Sequence, residues 1–410
     1  MRLTEIYSAK AIAIQQTEAA GNRQAYFGEG LFPPRKKMGL DLKWIKTHKG
    51  LPVSLAPSNF DAKSTLRSRE GIKMDETQMA FFRESMLVKE EDEQNIMRVR
   101  EASDPYALEV LNHVYDDTNT LVEGARVVAE RMRRQLLAPV DDGSPRINIE
   151  ANGVQYSYNY DAGGTYQSGH YRALTGTAQW SDLANSDPLS DVMSAQDAVE
   201  AETGTRPSML LLSKKTMGYL KKNVKVRSAI LAQNVTANVL VTDARVTELF
   251  STELGIRLVV YTKKYKDETG TTHQFYPDDM VTLLPDGALG STWYGTTPEE
   301  RTLLGSGKAD VAIVDTGIAV AVSVTIDPVN TKTTVSEIVL PSYERMDETF
   351  VIKVVGDTST AALSDVPNEQ DDLDSMTKDE LLAYANAHNI SGVSASMNKA
   401  DILSAIKAAS

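Results

Sequence analysis

The clearest hydrophobic pattern in the chain lies between residues 104 and 138. Apolar side chains recur there every three or four positions, which is the spacing of one face of an α-helix. They are Leu108, Leu111, Val114, Tyr115, Leu121, Val122, Ala125, Val128, Ala129, Met132 and Leu136. Asp104 suits the start of a helix, and Pro139 suits its end. At about 1.5 Å per residue the helix would be roughly 50 Å long. We predict a structural spine that carries sheets along its length; a coiled-coil segment or a core helix is the alternative.

Beyond this spine helix the pattern changes to strands and shorter helices. Apolar and polar residues alternate on both sides of the turn Asn152-Gly153, which predicts a β-hairpin over residues 146–161. A capped helix is predicted over residues 188–203. Short strands and helices are then predicted to alternate, and residues 226–233 are predicted to form one of these strands. The pattern indicates a mixed fold of helices and sheets.

The N-terminal part of the chain is basic, and an acidic run follows it. Residues 1–35 are predicted to be an arm with a short helix, and residues 36–86 a strand-like segment, here called the basic hairpin. Its cations are Lys36, Lys37, Lys43, Lys46, Lys49, Lys63, Arg67, Arg69 and Lys73. The acidic run is Glu90, Glu91, Asp92 and Glu93. This charge split suits head-to-tail association, in which the basic hairpin of one copy lies on the acidic run of the next. A solvated loop beside an acidic helix start is the alternative.

The C-terminal part of the chain has a different character. Residues 357–375 are small, polar and acidic, which indicates a flexible linker. Residues 376–410 contain two short helical patterns with a turn at Gly392, which predicts a small helical module.

Composition excludes several classes of function. The chain has 410 residues, no cysteine and a formal net charge of -13. Disulfides and thiol chemistry are therefore excluded, and a general duplex-DNA binder, which needs a basic surface, is disfavoured. No apolar run is long enough to span a bilayer, and the first residues do not resemble a secretory leader. We expect an intracellular product without a membrane partner.

The sequence contains no convincing motif for catalysis or for cofactor binding. GSGK at residues 305–308 lacks the first glycine of a phosphate loop, and Ala309 replaces its Ser or Thr. Asp278 and Asp279 follow a proline, which is typical of a turn rather than of paired catalytic carboxylates. The five histidines are scattered. We therefore predict no catalytic residue, no cofactor and no metal site, and we expect an assembly protein rather than an enzyme.

Several stretches, taken in order, resemble the lambda-type family of tailed-bacteriophage major capsid proteins. They are LRSREG in the basic hairpin, the spine helix, TAQWSDLANSDPLSDV, PSMLLLSKKTMGYLKKN and HQFYPDDMVTLLPDGALGSTWYG. Their order and spacing carry the resemblance, which covers about residues 2–356. It implies an α+β chain with the Hong Kong ninety-seven phage capsid fold, whose parts are an axial domain, a peripheral domain with a long spine helix, an extended loop and an N-terminal arm, followed here by a small helical C-terminal module.

The resemblance gives each segment a place in that fold. The expected divisions are the N-terminal arm 1–35, the extended loop 36–86, the peripheral domain 87–187 with spine helix 104–138 and hairpin 146–161, the axial domain 188–326, a return to the peripheral domain 327–356, the linker 357–375, and a helix-extended-loop-helix module 376–410 similar to SAP and LEM domains. The last strand, 350–355, would join the peripheral sheet. The extended loop would lie over a neighbouring copy, with Arg67 and Arg69 facing its acidic run.

The resemblance also implies a function and partners. The chain would be a major capsid protein that self-assembles into the icosahedral head of a tailed bacteriophage around double-stranded DNA. Expected partners are further copies in pentamers and hexamers, a separate scaffolding protein, a portal protein, and packaged DNA without sequence-specific contact; a decoration protein is a further candidate. Noncovalent shells would assemble in the host bacterial cytoplasm and become part of the virion. The alternative is an encapsulin-type compartment, a non-viral shell that is built from subunits of the same fold and encloses cargo enzymes.

Overall fold

The computed structural model describes residues 8–20, 23, 25–45, 74–90, 94, 106–140, 142–151, 153–231, 241–307, 309–325, 329–356, 378 and 397–399. Residues 1–355 form one compact unit, and residues 356–410 form a second. The predicted linker 357–375 lies outside the described residues, as does all of the predicted module 376–410 except Lys378 and residues 397–399. None of the helices in the described ranges is both long enough and apolar enough to cross a membrane.

The first unit is built from helices and strands in mixed order. The helices are α1 Ala9–Ala20, α2 Phe27–Leu31, α3 Tyr106–Leu137, α4 Thr165–His170, α5 Pro188–Thr203, α6 Lys214–Lys222, α7 Val224–Leu231 and α8 Asp243–Leu254. The strands are β1 Pro34–Lys36, β2 Asp41–Ile45, β3 Met74–Gln78, β4 Ala80–Val88, β5 Arg146–Ala151, β6 Val154–Asn159, β7 Tyr171–Ala173, β8 Met209–Leu212, β9 Arg257–Val260, β10 Lys264–Lys266, β11 Thr272–Gln274, β12 Met280–Leu284, β13 Gly290–Tyr294, β14 Asp310–Val314, β15 Ile318–Val324, β16 Thr331–Tyr343 and β17 Phe350–Lys353.

Helix α3 is the spine of the unit, and it packs on a six-stranded sheet. The sheet has the order β1-β13-β16-β15-β14, and β4 pairs with β16 as well. The apolar face of α3 is buried against this sheet: Val122 packs in one cluster with Val335, and Met132 packs in another with Val339. Burying a side chain of this size stabilises the fold by about 1.5–3 kcal/mol, so the apolar face of the helix holds it along the sheet.

A second, five-stranded sheet carries most of the remaining helices. Its order is β7-β17-β12-β8-β9. Val192 of α5, Leu220 of α6 and Phe250 of α8 are fully buried in one cluster with residues of these strands. Helix α5 begins where Asp187 accepts a hydrogen bond from the Ser190 N–H at 3.2 Å. It ends at Gly204, whose φ of 69° is the left-handed conformation that glycine tolerates best.

The expected division into axial and peripheral domains stays a prediction, and the strand pairing shows only which segments share a sheet. Strands β13, β14 and β15 fall within the expected axial segment 188–326 and belong to the six-stranded sheet, in which β13 and β15 pair with β16, and β14 pairs with β15. Strand β17, which is expected to return to the peripheral sheet, pairs with β12 and β7 in the five-stranded sheet. Its side chains Phe350 and Ile352 explain this position, because both are buried against the helix-covered face there.

The predicted strand at residues 226–233 is helix α7 over its described part. Asn223 starts this helix, because its Oδ1 accepts hydrogen bonds from the N–H groups of Lys225 and Val226 at 3.0 and 3.1 Å. The Asn223 Nδ2 donates to the Ser186 carbonyl at 3.2 Å, which fixes the side chain in that role. The predicted strand is therefore wrong over residues 226–231. The apolar residues there allow either a strand or a helix, and the capping residue at the N-terminal end favours the helix.

The basic hairpin ends earlier than the sequence indicates. Its described strands β2 and β3 are antiparallel, with Asp41 opposite Gln78. Strand β4 begins two residues later and pairs with β16, so residues 80–86 belong to the six-stranded sheet. Met79 marks the change: its side chain is buried, and its N–H donates to the Leu40 carbonyl at 2.9 Å.

Candidate assembly surfaces

Glu90 is the one predicted contact residue that the structure describes. It is exposed just beyond β4, and its Oε1 accepts a hydrogen bond from the Val329 N–H at 2.7 Å. The Glu90 N–H donates to the Asn330 Oδ1 at 3.2 Å. Glu90 therefore ties the end of β4 to the start of β16 within the same copy. The other predicted contact residues, Arg67, Arg69, Glu91, Asp92 and Glu93, lie outside the described residues.

The base of the basic hairpin is attached to the edge of the six-stranded sheet. Arg35 stacks its guanidinium over the Trp293 ring at 5.7 Å, and Lys36 Nζ lies 2.6 Å from Glu300 Oε2. Two residues further on, Met38 is 90% exposed beside Gly39, whose φ is 90°. The attachment fixes where the hairpin leaves the body of the subunit.

A buried carboxylate, Glu130, connects the N-terminal segment, the spine helix and the segment that directly follows strand β9. Its Oε1 accepts hydrogen bonds from the Gly28 N–H at 3.0 Å and from the Tyr261 hydroxyl at 2.9 Å. Its Oε2 lies 3.2 Å from the Arg133 guanidinium. Glu130 and Arg133 are each 2% exposed. Burial and the Glu130 charge raise the pKa of Tyr261, so its hydroxyl stays a donor.

Arg133 extends this network into the six-stranded sheet. Its Nε donates to the Thr292 Oγ1 at 2.9 Å, and that hydroxyl donates to the Phe32 carbonyl at 2.9 Å. The sequence does not reveal the network, because a Glu and an Arg three residues apart on a helix usually form an exposed pair. The signal that could have found it is that Glu130 and Arg133 flank the apolar face of the spine helix.

The tight approach of α2 to this network gives a testable prediction. A Cβ added to Gly28 would lie 2.5 Å from Glu130 Oε2 and 2.8 Å from Arg133 Cδ. We expect Gly28→Ala to lower the free energy of unfolding by about 1–3 kcal/mol, since overpacking a buried site forces its neighbours to move. Denaturant unfolding followed by circular dichroism would measure the change.

Gly30 provides the matched control, because it lies in the same short helix. No atom lies within 4 Å of the position of its added Cβ. Gly30→Ala should leave the unfolding midpoint unchanged or raise it slightly, because alanine favours the helix. Equal effects of the two substitutions would contradict the packing described for Gly28.

Helix α1 lies on the opposite edge of the same sheet. Ile12 is buried with Leu121 of the spine helix and Val314 of β14. The Ala9 N–H donates to Asp310 Oδ2 at 2.6 Å. Residues 9–20 of the predicted arm therefore cover β14 of their own copy.

Glu337 is a second buried carboxylate that the sequence does not single out. It lies on β16 two residues from Val335, hence on the face that packs against the spine helix. Neither of its oxygens has a hydrogen-bond partner in the described part of the chain. Burial raises the pKa of Glu337 to about 8, against an opposing contribution from Arg133. Glu337 therefore sits beneath the spine helix largely as a neutral acid.

Among the residues that the structure describes, no three or more His, Cys, Asp or Glu side chains come together in a group that could hold a metal ion. The polar clusters described above link segments of the chain to each other. This arrangement is typical of polar contacts that stabilise a fold.

Comparison with solved structures identifies the fold. A phage-related protein from Bordetella bronchiseptica RB50 aligns with a TM-score of 0.51 and 18% identity, over 84% of this chain and 96% of that one. A putative capsid protein of a prophage from E. coli CFT073 aligns with a TM-score of 0.54 and 14% identity, over 85% of this chain and 99% of that one. The chain therefore has the Hong Kong ninety-seven phage capsid fold.

The sequence identifies the family to which the chain belongs. The chain belongs to the phage major capsid protein E family, whose model matches residues 11–350. It is a major capsid protein that self-assembles into the head of a tailed bacteriophage, and this match favours that function over the encapsulin alternative. A search of curated proteins returned no match.

Proposed function

We propose that copies of this chain form pentamers and hexamers that close into an icosahedral, noncovalent shell, and that the chain performs no enzymatic reaction. The family match over residues 11–350 carries this proposal. A separate scaffolding protein, a portal protein and, as a further candidate, a decoration protein would act with it during assembly in the host bacterial cytoplasm. The net charge of -13 supports packaging of DNA without sequence-specific contact.

Sedimentation velocity and negative-stain electron microscopy of the expressed full-length chain test this proposal. The expected result is association that increases with protein concentration and yields rings or closed shells of uniform size. A chain that stays a compact monomer at high concentration would overturn the proposal.

Within the shell, we propose a contact between the basic hairpin of one copy and the acidic run of the next. Arg67 and Arg69 would face Glu90, Glu91, Asp92 and Glu93 of the neighbour. The exposure of Glu90 just beyond β4 supports this arrangement, because the run begins at an accessible edge of the subunit. Each exposed ion pair contributes only about 0–1 kcal/mol, so these charges would set the register of neighbouring copies more than the strength of the shell.

Charge reversal tests the register contact. We expect Arg67→Glu with Arg69→Glu to lower the fraction of protein in shells by about tenfold at moderate salt, because like charges would then oppose each other across the contact. Adding Glu91→Lys and Glu93→Lys should restore assembly, since the pairs re-form with exchanged signs. Sedimentation of the assembled fraction measures both changes.

The matched control reverses two cations outside the residues that the family model covers. Lys378→Glu with Lys399→Glu changes the net charge by the same amount. This variant should assemble like the unmodified chain. Unimpaired assembly of the Arg67 and Arg69 variant would rule out the register contact.

A further inference from the structure

Helix α6 carries a concentration of positive charge on a chain whose net charge is -13. The helix has nine residues, of which four are lysines and none is acidic. The lysines are Lys214, Lys215, Lys221 and Lys222. The buried side chains of the helix are Thr216, Met217 and Leu220. Because the buried residues occupy one side of the helix, the lysines lie on or beside its solvent-facing side, where all four are at least partly exposed.

Gly218 lies at the centre of this basic surface. The four lysines lie three or four residues before or after it, so each is its neighbour on the surface of the helix. A Cβ added to Gly218 would meet no atom within 4 Å. Packing within the subunit therefore does not require glycine there, although glycine inside a helix costs about 0.5–1 kcal/mol relative to alanine. The lysines thus surround a patch of bare helix backbone.

Two of the four lysines already have an anionic partner. They are Lys215, whose Nζ lies 2.6 Å from Asp279 Oδ2, and Lys221, whose Nζ lies 2.7 Å from Asp243 Oδ1. Lys214 and Lys222 form no ion pair with a carboxylate in the described part of the chain. Cations grouped on one surface repel each other, so an anion bound between these two lysines would stabilise the surface.

This surface fits the phosphate groups of a nucleic acid better than an acidic protein. Protein interfaces are anchored by aromatic or apolar side chains that become buried. The exposed side of α6 offers no such anchor, because Tyr219 at its margin is held by its hydroxyl, which donates to Asp279 at 3.0 Å. Contacts to phosphates need only cations that can reach the nucleic acid backbone. The ammonium group of lysine is a point charge that suits such contacts without sequence preference.

We propose that the basic surface of α6, around Gly218, binds the phosphate backbone of the double-stranded DNA that the shell encloses. The inference rests on the proposed function, since the chain meets this DNA only as part of a shell. Lys214 and Lys222 lie about 12 Å apart along the helix, so they contact separate phosphates. The missing side chain of Gly218 lets the DNA backbone approach the helix between them. Each copy contributes a weak contact, which is repeated over the inside of the shell.

Binding of the unassembled full-length chain to a short DNA duplex tests this proposal. Fluorescence anisotropy at a series of low salt concentrations gives the affinity and its dependence on salt. We expect Lys214→Gln with Lys222→Gln to lower the slope of log affinity against log salt concentration by about 2, because each lost phosphate contact removes about 0.9. Lys264→Gln with Lys266→Gln is the matched control, since both lysines are exposed on strand β10. It removes the same charge and should change the slope much less.

Gly218→Ala tests the close approach of the DNA backbone without changing any charge. The added methyl group meets no atom of the subunit, and alanine favours the helix, so the unfolding midpoint should stay the same or rise. The methyl group does occupy the space between the lysines. We expect the affinity for the duplex to fall by about threefold or more, as it does when phosphate contacts are lengthened. Unchanged affinity would overturn the role of Gly218.

Chemical acetylation of lysines tests the proposal in assembled particles. Lys214 and Lys222 should be acetylated about threefold more slowly, or slower still, in heads that contain DNA than in empty heads, because a bound phosphate shields the amine. Lys264 and Lys266 should react at the same rate in both kinds of head. Mass spectrometry of the digested protein measures the rates.

The outcomes separate this inference from the proposed function. Equal protection of Lys214 and Lys222 in empty and DNA-containing heads would mean that protein covers them, and it would overturn the assignment to DNA while the capsid function stands. An unchanged salt slope for Lys214→Gln with Lys222→Gln would overturn it as well. Failure of the unmodified chain to form shells would refute the proposed function instead, and the anisotropy measurement, which needs no assembly, would still decide whether α6 binds DNA.

Discussion

Replacing Glu130 by alanine is expected to lower the free energy of unfolding by about 3–5 kcal/mol, which is the range for breaking one side of a buried ion pair. The substitution would leave the Arg133 guanidinium buried at 2% exposure without its carboxylate. It would also remove the acceptor for the Gly28 N–H and the Tyr261 hydroxyl. Denaturant unfolding of the unassembled subunit, followed by circular dichroism, measures the loss.

Three further variants make the Glu130 result specific. Glu130→Gln keeps an acceptor but not the charge, and it should fall between the unmodified chain and the alanine variant. Adding Arg133→Met to Glu130→Ala should recover part of the loss, because the stranded charge is then gone. Glu248→Ala, at an exposed glutamate of α8, should change stability by less than about 0.5 kcal/mol. An unchanged midpoint for Glu130→Ala would contradict the buried network.

Raising the pH from 4 to 9 is expected to destabilise the subunit through Glu337. The folded chain keeps the proton on this carboxyl up to a pKa of about 8, whereas the ordinary value is 4.5. Between these values the unfolded state releases the proton and the folded state holds it, so each step upward in pH favours unfolding. Deprotonation of Glu337 lowers the free energy of unfolding by an amount on the order of 4–5 kcal/mol, and this loss is complete once the pH passes about 8.

Glu337→Gln isolates this contribution, because glutamine keeps the shape of the neutral acid and does not ionise. The variant should match the unmodified chain near pH 4 and exceed its stability at pH 8. Guanidinium titrations at a series of pH values measure the difference. Glu84→Gln, at an exposed carboxylate of the neighbouring strand, is the control and should leave the pH profile unchanged. Parallel pH profiles for Glu337→Gln and the unmodified chain would disprove the role of Glu337.

The position of Glu337 relates this pH effect to the architecture. The groups near it are Arg133 from the spine helix and Tyr294 from β13, while Phe82 of β4 is its uncharged cross-strand neighbour. Arg133 is already bound to Glu130 and Thr292. Ionised Glu337 would therefore compete with Glu130 for the Arg133 guanidinium. The predictions for Glu130 and for Glu337 thus concern neighbouring parts of the same contact between the spine helix and the six-stranded sheet.

The sequence alone predicts the features that depend on the local spacing of apolar residues and on helix-capping residues. The spacing of apolar residues predicts the spine helix, and the structure has helix α3 over Tyr106–Leu137. Asp187 and Gly204 predict the ends of helix α5, since each acts within a few residues of its own position. The order of several unspecific stretches also indicated the capsid family, which the family match confirmed.

Tertiary structure alone decided which strands share a sheet and which charges are buried. The apolar pattern of β17 is the same whichever sheet receives it, and only the fit of Phe350 and Ile352 against the helix-covered core selects the five-stranded sheet. Glu130, Arg133 and Glu337 look like ordinary surface residues in the sequence. Burial depends on chain segments that lie far apart along the sequence, such as Gly28 and Tyr261, and a local pattern carries no information about which distant segments will meet.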